Sequence, residues 1–468
     1  MLIMPRTSGR YGRPSTPPVG LAYLATYLKM RDHEVKLIDM RVENEDFDYL
    51  SSIKSFKPGF VGVSFVSNGY KYSYDLVNEI KDKTGATIVI GGAHSSTVRG
   101  KALEECKADY VVYGEGEITL SELVEGKRPS DIKGLIWREG KKININPPRE
   151  PLLDLDSLPF PDYGMFKLEK YSQKRIPLNT ARGCPHLCTY CAVDLVIGRR
   201  FRARSARNVV DEIESWYKKG FTNFGFNDST FTENMKRAEE IAEELIRRGI
   251  DIKWDLRTGI RVDRVNKKLL SKLKQAGCTF VAFGIESIDP EVIGLMQKGT
   301  TFEMVERAVK DAKDCGLGVG GFFMIGTPGD TYEKFERSYR YADQDIFDEV
   351  RFYNTEPYPG TVLFDWIKEK GKFLVDPEIY LNSKTRWDED PIFETGDFNS
   401  DERRKAFNQG EYLVVKKLLI KILGKRIGNF ASIPCRIKWF RKITMIAGFR
   451  LAPLIFGFIS SKKAGKPI

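Results

Sequence analysis

From its first residue to about Asn354 the chain alternates short apolar runs with stretches of helical period, and no other feature restricts its fold so far. Apolar runs fall at Met1–Met4, Val35–Ile38, Phe60–Val66, Thr87–Ile90 and Tyr110–Tyr113. Helical patterns lie between them at Val19–Met30, Phe47–Ser55, Tyr74–Lys83 and Lys101–Cys106. Strands that are apolar throughout must be covered on both faces. This part therefore reads as a doubly wound parallel sheet, Rossmann-like, with ligands expected beyond the carboxyl ends of its strands. Residues 131–174 break the pattern: a hairpin pattern (Gly134–Trp137, Lys141–Asn146) runs into Pro147-Pro148 and Leu158-Pro-Phe-Pro161, which reads as a linker. From Arg175 the alternation resumes in longer units. Strands are expected at Ile176–Thr180, Phe221–Phe226, Ile252–Arg257, Thr279–Ile285, Val319–Ile325 and Glu349–Asn354. Such a series predicts an α/β partial (β/α)6 barrel with its chemistry on the loops after the strands. The expected domains are 1–130, the linker 131–174, the barrel 175–376 and a mostly helical region 377–468.

Charge is distributed unevenly. The 468 residues include 75 Lys or Arg and 64 Asp or Glu, a net charge of +11. From Tyr412 onward there are 13 basic residues and no acidic one, which leaves 62 basic against 64 acidic in the remainder. A nucleic-acid enzyme would carry a basic stripe on its body, so no nucleic-acid partner is expected. The segments Tyr412–Ile427 and Ile433–Ile459 mix basic residues with Trp439, Phe440, Phe449, Phe456 and Phe458. That composition suits an anionic membrane surface; the alternative is a helix pair covering the open side of the barrel. No stretch reaches the ~18 uncharged apolar residues of a membrane span, and the first residues lack the pattern of a signal peptide. A cytoplasmic protein is expected, peripheral on the inner membrane face through its tail.

Three of the seven cysteines crowd into one segment, Arg182-Gly-Cys-Pro-His-Leu-Cys-Thr-Tyr-Cys191, directly after the first barrel strand. Cys184, Cys188 and Cys191 have the spacing C-x3-C-x2-C. Three thiolates so placed can hold three irons of a [4Fe-4S] cluster and leave the fourth iron open. The alternative is a zinc site with His186 as fourth ligand, for which the spacing is poor. The motif resembles the signature of the radical S-adenosylmethionine (SAM) superfamily, as does the aromatic Tyr190 before the last cysteine. The resemblance implies that the cluster donates one electron to bound SAM, whose cleavage gives methionine and a 5′-deoxyadenosyl radical.

Further matches to that family lie at successive strand ends. Asp228, in Asn227-Asp-Ser229, stands where members often accept hydrogen bonds from the SAM ammonium; the alternative role is a helix cap. Arg257, in Trp254-Asp-Leu-Arg257, resembles the basic residue near the SAM carboxylate. Gly284-Ile-Glu-Ser287 is a frequent family tetrad, which makes Glu286 and Ser287 candidates for ribose or methionine contacts. Met324-Ile-Gly-Thr-Pro-Gly329 places Gly326 where backbone would approach the adenine.

A Rossmann-like domain before such a barrel resembles the cobalamin-binding subgroup of the superfamily. Ser64 and Ser67 near the third strand end, and Gly91-Gly92 after the fourth, fit contacts to the buried nucleotide tail of cobalamin. The loop Pro5-Arg-Thr-Ser-Gly-Arg-Tyr-Gly-Arg-Pro14 lacks the cobalt-ligating histidine of mutase-type domains; it holds Arg6, Arg10 and Arg13 instead. His94 is the nearby imidazole. The resemblance implies three cofactors: a [4Fe-4S] cluster, SAM and cobalamin. It implies methyl transfer to an unactivated carbon, and the tail points to a lipid or lipid-linked small-molecule substrate. A reducing partner such as flavodoxin or ferredoxin would supply electrons. Two alternatives stand beside this: a cobalamin-free cyclase, coupling or rearrangement enzyme, and a non-catalytic membrane-associated cobalamin or redox sensor.

Overall fold

The computed structural model describes residues 1–6, 14–382 and 390–445. The N-terminal sheet contains β1 (Leu2–Met4), β2 (Leu37–Asp39), β3 (Val61–Ser64), β4 (Ile88–Gly91), β5 (Tyr110–Val112), β6 (Leu135–Glu139) and β7 (Lys142–Ile145), in the order β2-β1-β3-β4-β5-β6-β7. The first five are parallel and the last two antiparallel. The strand order reverses between β1 and β3, where open α/β sheets form their ligand crevice.

The expected linker is therefore part hairpin: β6 pairs with β5 and extends the sheet. Leu135 and Ile136 are buried there, and apolar burial of that kind outweighs the turn signals of the segment. The remainder of 131–174 is docked against both domains. Tyr163 is buried and donates to the Pro177 carbonyl at 2.7 Å, and Tyr171 donates to Asp39 at 2.7 Å. The helices Ala93–Val98 and Glu117–Val124 were not anticipated from the sequence.

The second sheet holds β8 (Ile176–Leu178), β11 (Asn223–Phe226), β12 (Lys253–Ile260), β13 (Cys278–Glu286), β14 (Gly318–Ile325) and β15 (Glu349–Asn354), all parallel and in chain order. Between β8 and β11 a short antiparallel pair forms from β9 (Ala181–Arg182) and β10 (Arg202–Ala203). The covering helices are amphipathic and side-chain capped, as where Asn266 accepts from Leu269 N at 2.9 Å. One apolar core runs from the barrel into the inner face of the N-terminal sheet, joining Leu21, Leu120 and Val112 to Tyr163, Trp216 and Phe226.

The helix Ser400–Leu423 packs along β15 and the helix Tyr332–Ala342. Leu413 and Val414 join the barrel core, Val415 packs with Cys435 and Met445, and Lys416 pairs with Asp343 and Lys421 with Glu349. This corrects the membrane reading for most of Tyr412–Ile427: its apolar residues are divided between the barrel core and the C-terminal segment around Cys435 and Met445. The next helix, Lys425–Ser432, and residues 437–445 leave Ile427, Phe430, Ile437 and Trp439 exposed. No helix among the described residues is long and apolar enough to cross a membrane. Phe449, Phe456 and Phe458 lie outside the described residues.

Candidate active site

The loop 183–201 leaves the barrel through the neck formed by β9 and β10, where Arg182 faces Arg202 and Ala181 faces Ala203. Gly183 turns the chain at φ +82°, and a Cβ there would collide with the Arg200 carbonyl. Cys184, Cys188 and Cys191 follow as free, half-buried thiols. Cys191 N bonds to the Cys188 carbonyl at 3.1 Å, and Thr189 N to the Met296 carbonyl at 3.0 Å, which ties the loop to the C-terminal end of the helix Pro290–Leu295. Burial pushes the Cys184 and Cys191 thiols up, so these residues need a cation or metal beside them to ionise. His186 Nε2 lies 2.7 Å from Glu233 Oε2. Among the described residues, no three His, Cys, Asp or Glu side chains converge on a single-ion site. A cluster takes one thiolate per iron, so its ligands need not converge as those of one zinc ion must. The donor set fits an iron–sulfur cluster.

At the barrel mouth beside this loop, Tyr190 and Glu286 come together. The Tyr190 hydroxyl donates to Glu286 Oε1 at 3.3 Å, and Lys298 Nζ donates to the same oxygen at 2.8 Å. Lys298 is buried, so the pair is shielded from solvent. Glu286 ends β13 at φ +65°, a strained backbone for a non-glycine residue that aims its carboxylate. Ser287 turns elsewhere: its hydroxyl accepts from Asp289 N at 3.1 Å at the start of the next helix.

Arg257 is not at this mouth. It pairs with Glu349 at 2.7 Å, lies over the Phe280 ring at 3.9 Å, and lines a surface recess with Thr279 and Gly318, near the amino ends of β13 and β14. The reason is that β12 runs on to Ile260, past the expected end at Arg257. The basic residue at its true end is Arg261. Its Nη1 lies 3.9 Å from Cys188 Sγ, and its Nη2 donates to the Lys298 carbonyl at 2.6 Å. The second arginine of Arg257-Thr-Gly-Ile-Arg261 was the signal.

Asp228 is fully buried and already engaged. It accepts from Thr180 N at 2.5 Å, from Ala181 N at 3.0 Å and from the Thr180 hydroxyl, so it clamps the chain entering the cysteine loop. Burial raises its carboxyl despite the neighbouring Arg237. Gly326, at φ +78°, donates its N–H to Asp330 at 2.8 Å, and the Arg403 guanidinium of the C-terminal helix fills the space where a Cβ would stand. Burial raises Asp330 to about 7 and lowers Arg403 to about 9. Arg403 bonds to the Ile325 and Phe393 carbonyls.

A cavity of about 250 Å³ opens between the two sheets. Ser64, Gly91 and Gly92 line it from the N-terminal side; Asn179, Arg182 and Asn227 line it from the barrel side. Gly92 stands at φ +99°, and a Cβ there would lie 2.5 Å from the Phe65 carbonyl. Asn179 Oδ1 is buried on this wall without a hydrogen-bond partner, an acceptor open to a ligand donor. A glycine- and serine-lined crevice of this kind fits a nucleotide tail. Ser67 does not line it. Its hydroxyl lies 3.2 Å from His94 Nδ1, while His94 Nε2 lies 3.0 Å from the Tyr74 hydroxyl and the ring stacks on Tyr70 at 4.3 Å. Burial, aided by Lys101, lowers His94 to about 4, so it stays neutral inside the domain. Arg6 donates to the Glu43 carbonyl at 3.3 Å; Arg10 and Arg13 lie outside the described residues.

Residues 178–342 match the family model of the radical SAM superfamily, and residues 12–124 that of the B12-binding domain. The chain is 33% identical over 437 residues to an uncharacterised methyltransferase of Pyrococcus horikoshii, covering 90% of this chain and 94% of that one. It is 27% identical to the cytidylyl-2-hydroxyethylphosphonate methyltransferase of Streptomyces wedmorensis, over 85% of this chain and 90% of that one. It is 30% identical to the anaerobic magnesium-protoporphyrin IX monomethyl ester cyclase of Rubrivivax gelatinosus, over 76% and 67%. Its fold is similar to that of a radical SAM methyltransferase of Kitasatospora setae, solved with cobalamin and a [4Fe-4S] cluster bound. The TM-score is 0.67 at 22% identity, over 79% of this chain and 74% of that one.

Proposed function

The chain belongs to the radical SAM superfamily, in the branch that carries an N-terminal B12-binding domain, and from that premise we propose that it is a cobalamin-dependent methyltransferase acting on an unactivated carbon of a lipid or lipid-linked substrate. The observation that carries the reading is the shared cavity. Ser64, Gly91 and Gly92 of one domain and Arg182, two residues before Cys184, line the same space. A methyl carrier and a radical generator can thus serve one substrate.

When bound, the [4Fe-4S] cluster, SAM and cobalamin supply the electron, the radical precursor and the methyl carrier. Cys184, Cys188 and Cys191 hold three irons. Arg261 and Lys298 present positive charge, and Glu286 negative charge, beside the cysteine loop. Opposite charges at this spacing suit the carboxylate and ammonium of the methionine half of SAM. Ser64, Gly91, Gly92 and the Asn179 amide receive the nucleotide tail of cobalamin. Packing of Ser400–Leu423 over β15 keeps water from that side of the barrel.

Support for a lipid acceptor comes from the last described helices. Phe430 is 78% exposed, Trp439 63% and Ile427 62%, and Lys425, Arg426, Lys438 and Lys442 stand among them in a region without acidic residues. This favours peripheral binding to an anionic membrane on its cytoplasmic side. A small acidic electron carrier such as flavodoxin or ferredoxin serves as reductant.

The test is anaerobic purification, reconstitution of the cluster, and titration with hydroxocobalamin, read by bound cobalt after desalting and by 5′-deoxyadenosine released from SAM. Stoichiometric cobalt together with SAM cleavage is the expected result. SAM cleavage without retained cobalt would overturn methyl transfer. It would favour the second reading, a radical cyclisation or rearrangement, to which the Rubrivivax relative and the missing cobalt histidine point. Sedimentation with phosphatidylglycerol vesicles is expected at moderate salt; its absence would remove the lipid assignment.

A further inference from the structure

The cysteine loop is gripped by the other domain. After β5 the chain reads Tyr113-Gly-Glu-Gly-Glu117, and both carboxylates reach across the domain boundary. Glu117 Oε1 accepts from Arg182 Nη2 at 2.6 Å, and Glu115 Oε2 lies 3.4 Å from Arg182 Nη1. Glu115 also accepts from Arg202, at 2.5 Å and 3.0 Å, and Arg202 donates to the Leu152 carbonyl at 2.8 Å. Arg182 and Arg202 are facing residues of β9 and β10, so two carboxylates hold both sides of the neck from which loop 183–201 emerges. The Arg182 guanidinium lies over the Tyr23 ring at 5.2 Å.

Charges with this little exposure persist only when they are paired, and here two anions meet two cations. Burial alone would raise the Glu117 carboxyl, but Arg182 holds it below its ordinary value. Glu115, Glu117 and Arg182 are also walls of the shared cavity. The same ion pairs therefore border the cobalamin side and the cluster side.

We propose that Glu117 is a positioning residue: it fixes Arg182, and through it the Gly183-Cys184 start of the cysteine loop, against the B12-binding domain. The placement of Cys184 then depends on a carboxylate that itself borders the cavity. The proposal rests on the functional reading above for its meaning, but its first test does not require a cluster.

That test is iodoacetamide labelling of the full-chain apoprotein, followed at Cys184 by peptide mass spectrometry, with buried Cys106 and Cys278 as internal controls. Glu117→Gln and Arg182→Gln each label Cys184 about fivefold faster, the factor that losing one partly shielded ion pair gives. The double variant labels no faster than Arg182→Gln alone, because Glu117 acts through Arg182 and has nothing further to lose once the guanidinium is gone. After reconstitution, Glu117→Gln leaves Arg182 only the Glu115 carboxylate it shares with Arg202 and moves the cluster's midpoint potential upward, while Arg182→Gln moves it downward. Unchanged labelling in both single variants, or effects that add in the double variant, overturns the proposal. Should Glu117→Gln fail to fold, Glu117→Asp, which keeps the charge but shortens the reach to Arg182, carries the comparison: Cys184 labels faster while Cys106 and Cys278 stay protected, and equal acceleration at all three overturns a local role. Wild-type protein that takes up no cluster would overturn the functional reading and leave the labelling result standing.

Discussion

The two sheets meet at one cavity, where Glu115 and Glu117 of the N-terminal side pair with Arg182 of the barrel side, but the cofactor sites on either side of it are built by different means. The B12-binding side contributes room: Gly91, Gly92 and Ser64 end strands that are otherwise apolar, and the one imidazole nearby, His94, is turned into the domain interior. The barrel side holds its charge beside the cysteine loop rather than on the cavity wall, nearly all of it paired: Glu286 with Lys298, Asp228 with the Thr180–Ala181 backbone, Arg261 with Asp263. A large neutral tail needs space and close backbone approach. A small zwitterion and an anionic cluster need fixed charges in a shielded place. The difference teaches that glycine substitutions and charge substitutions should fail in different cofactors.

The largest effect is expected from Cys184→Ala, which removes a cluster ligand: bound iron and SAM cleavage are lost while cobalamin is still retained. Loss of cobalamin as well would break the division between the two sides. Gly92→Val is its mirror. The φ of +99° and the Phe65 carbonyl leave no room for a side chain, so cobalamin retention is lost, stability drops by about 1–3 kcal/mol, and iron content after reconstitution is unchanged.

Lys298→Met leaves Glu286 buried beside Tyr190 without its cation. Removing one partner of a buried pair costs about 3 kcal/mol or more, and SAM binding, read by equilibrium dialysis, weakens with cobalamin binding intact. Asp330→Asn tests the charge side through pH. The carboxyl is raised from 3.8 to about 7 in the folded chain, so the folded state holds its proton longer than the unfolded state. Asp330 therefore lowers stability as pH rises through that window, and the penalty is complete above it. The variant is expected to gain stability relative to wild type at pH 8 and to match it near pH 4, in paired thermal melts.

The smallest effect belongs to His94→Gln. Cobalamin retention is expected to stay at the wild-type level, since His94 binds Tyr74 and Ser67 and does not face the cavity. Its lowered pKa of about 4 makes the folded state bind fewer protons than the unfolded state below pH 6.5. Wild type thus loses stability as pH falls through that range, and the variant lacks this component. A drop in retained cobalt would place the imidazole on the cofactor and break the comparison on the N-terminal side.

Period and local motif carried much of this protein. Continuous apolar runs against helical stretches were enough for two parallel sheets, because each pattern is a short-range consequence of which faces must be buried. The cysteine triplet was legible for the same reason: its spacing lies within eight residues of chain. Tertiary structure alone decided where each charge ended. Arg257 was displaced from the site by a strand that runs to Ile260, since the end of a strand is set by what pairs beside it. Asp228 was consumed by the backbone at Thr180, between β8 and β9 and 48 residues earlier. Lys298, Arg403 and Glu117 entered from segments that share no pattern with their partners. Arg403 reaches the Gly326 loop from 77 residues further along the chain, and Glu117 reaches Arg182 from 65 residues before it. A charge's partner is chosen by packing across the fold, where no period along the sequence can record it.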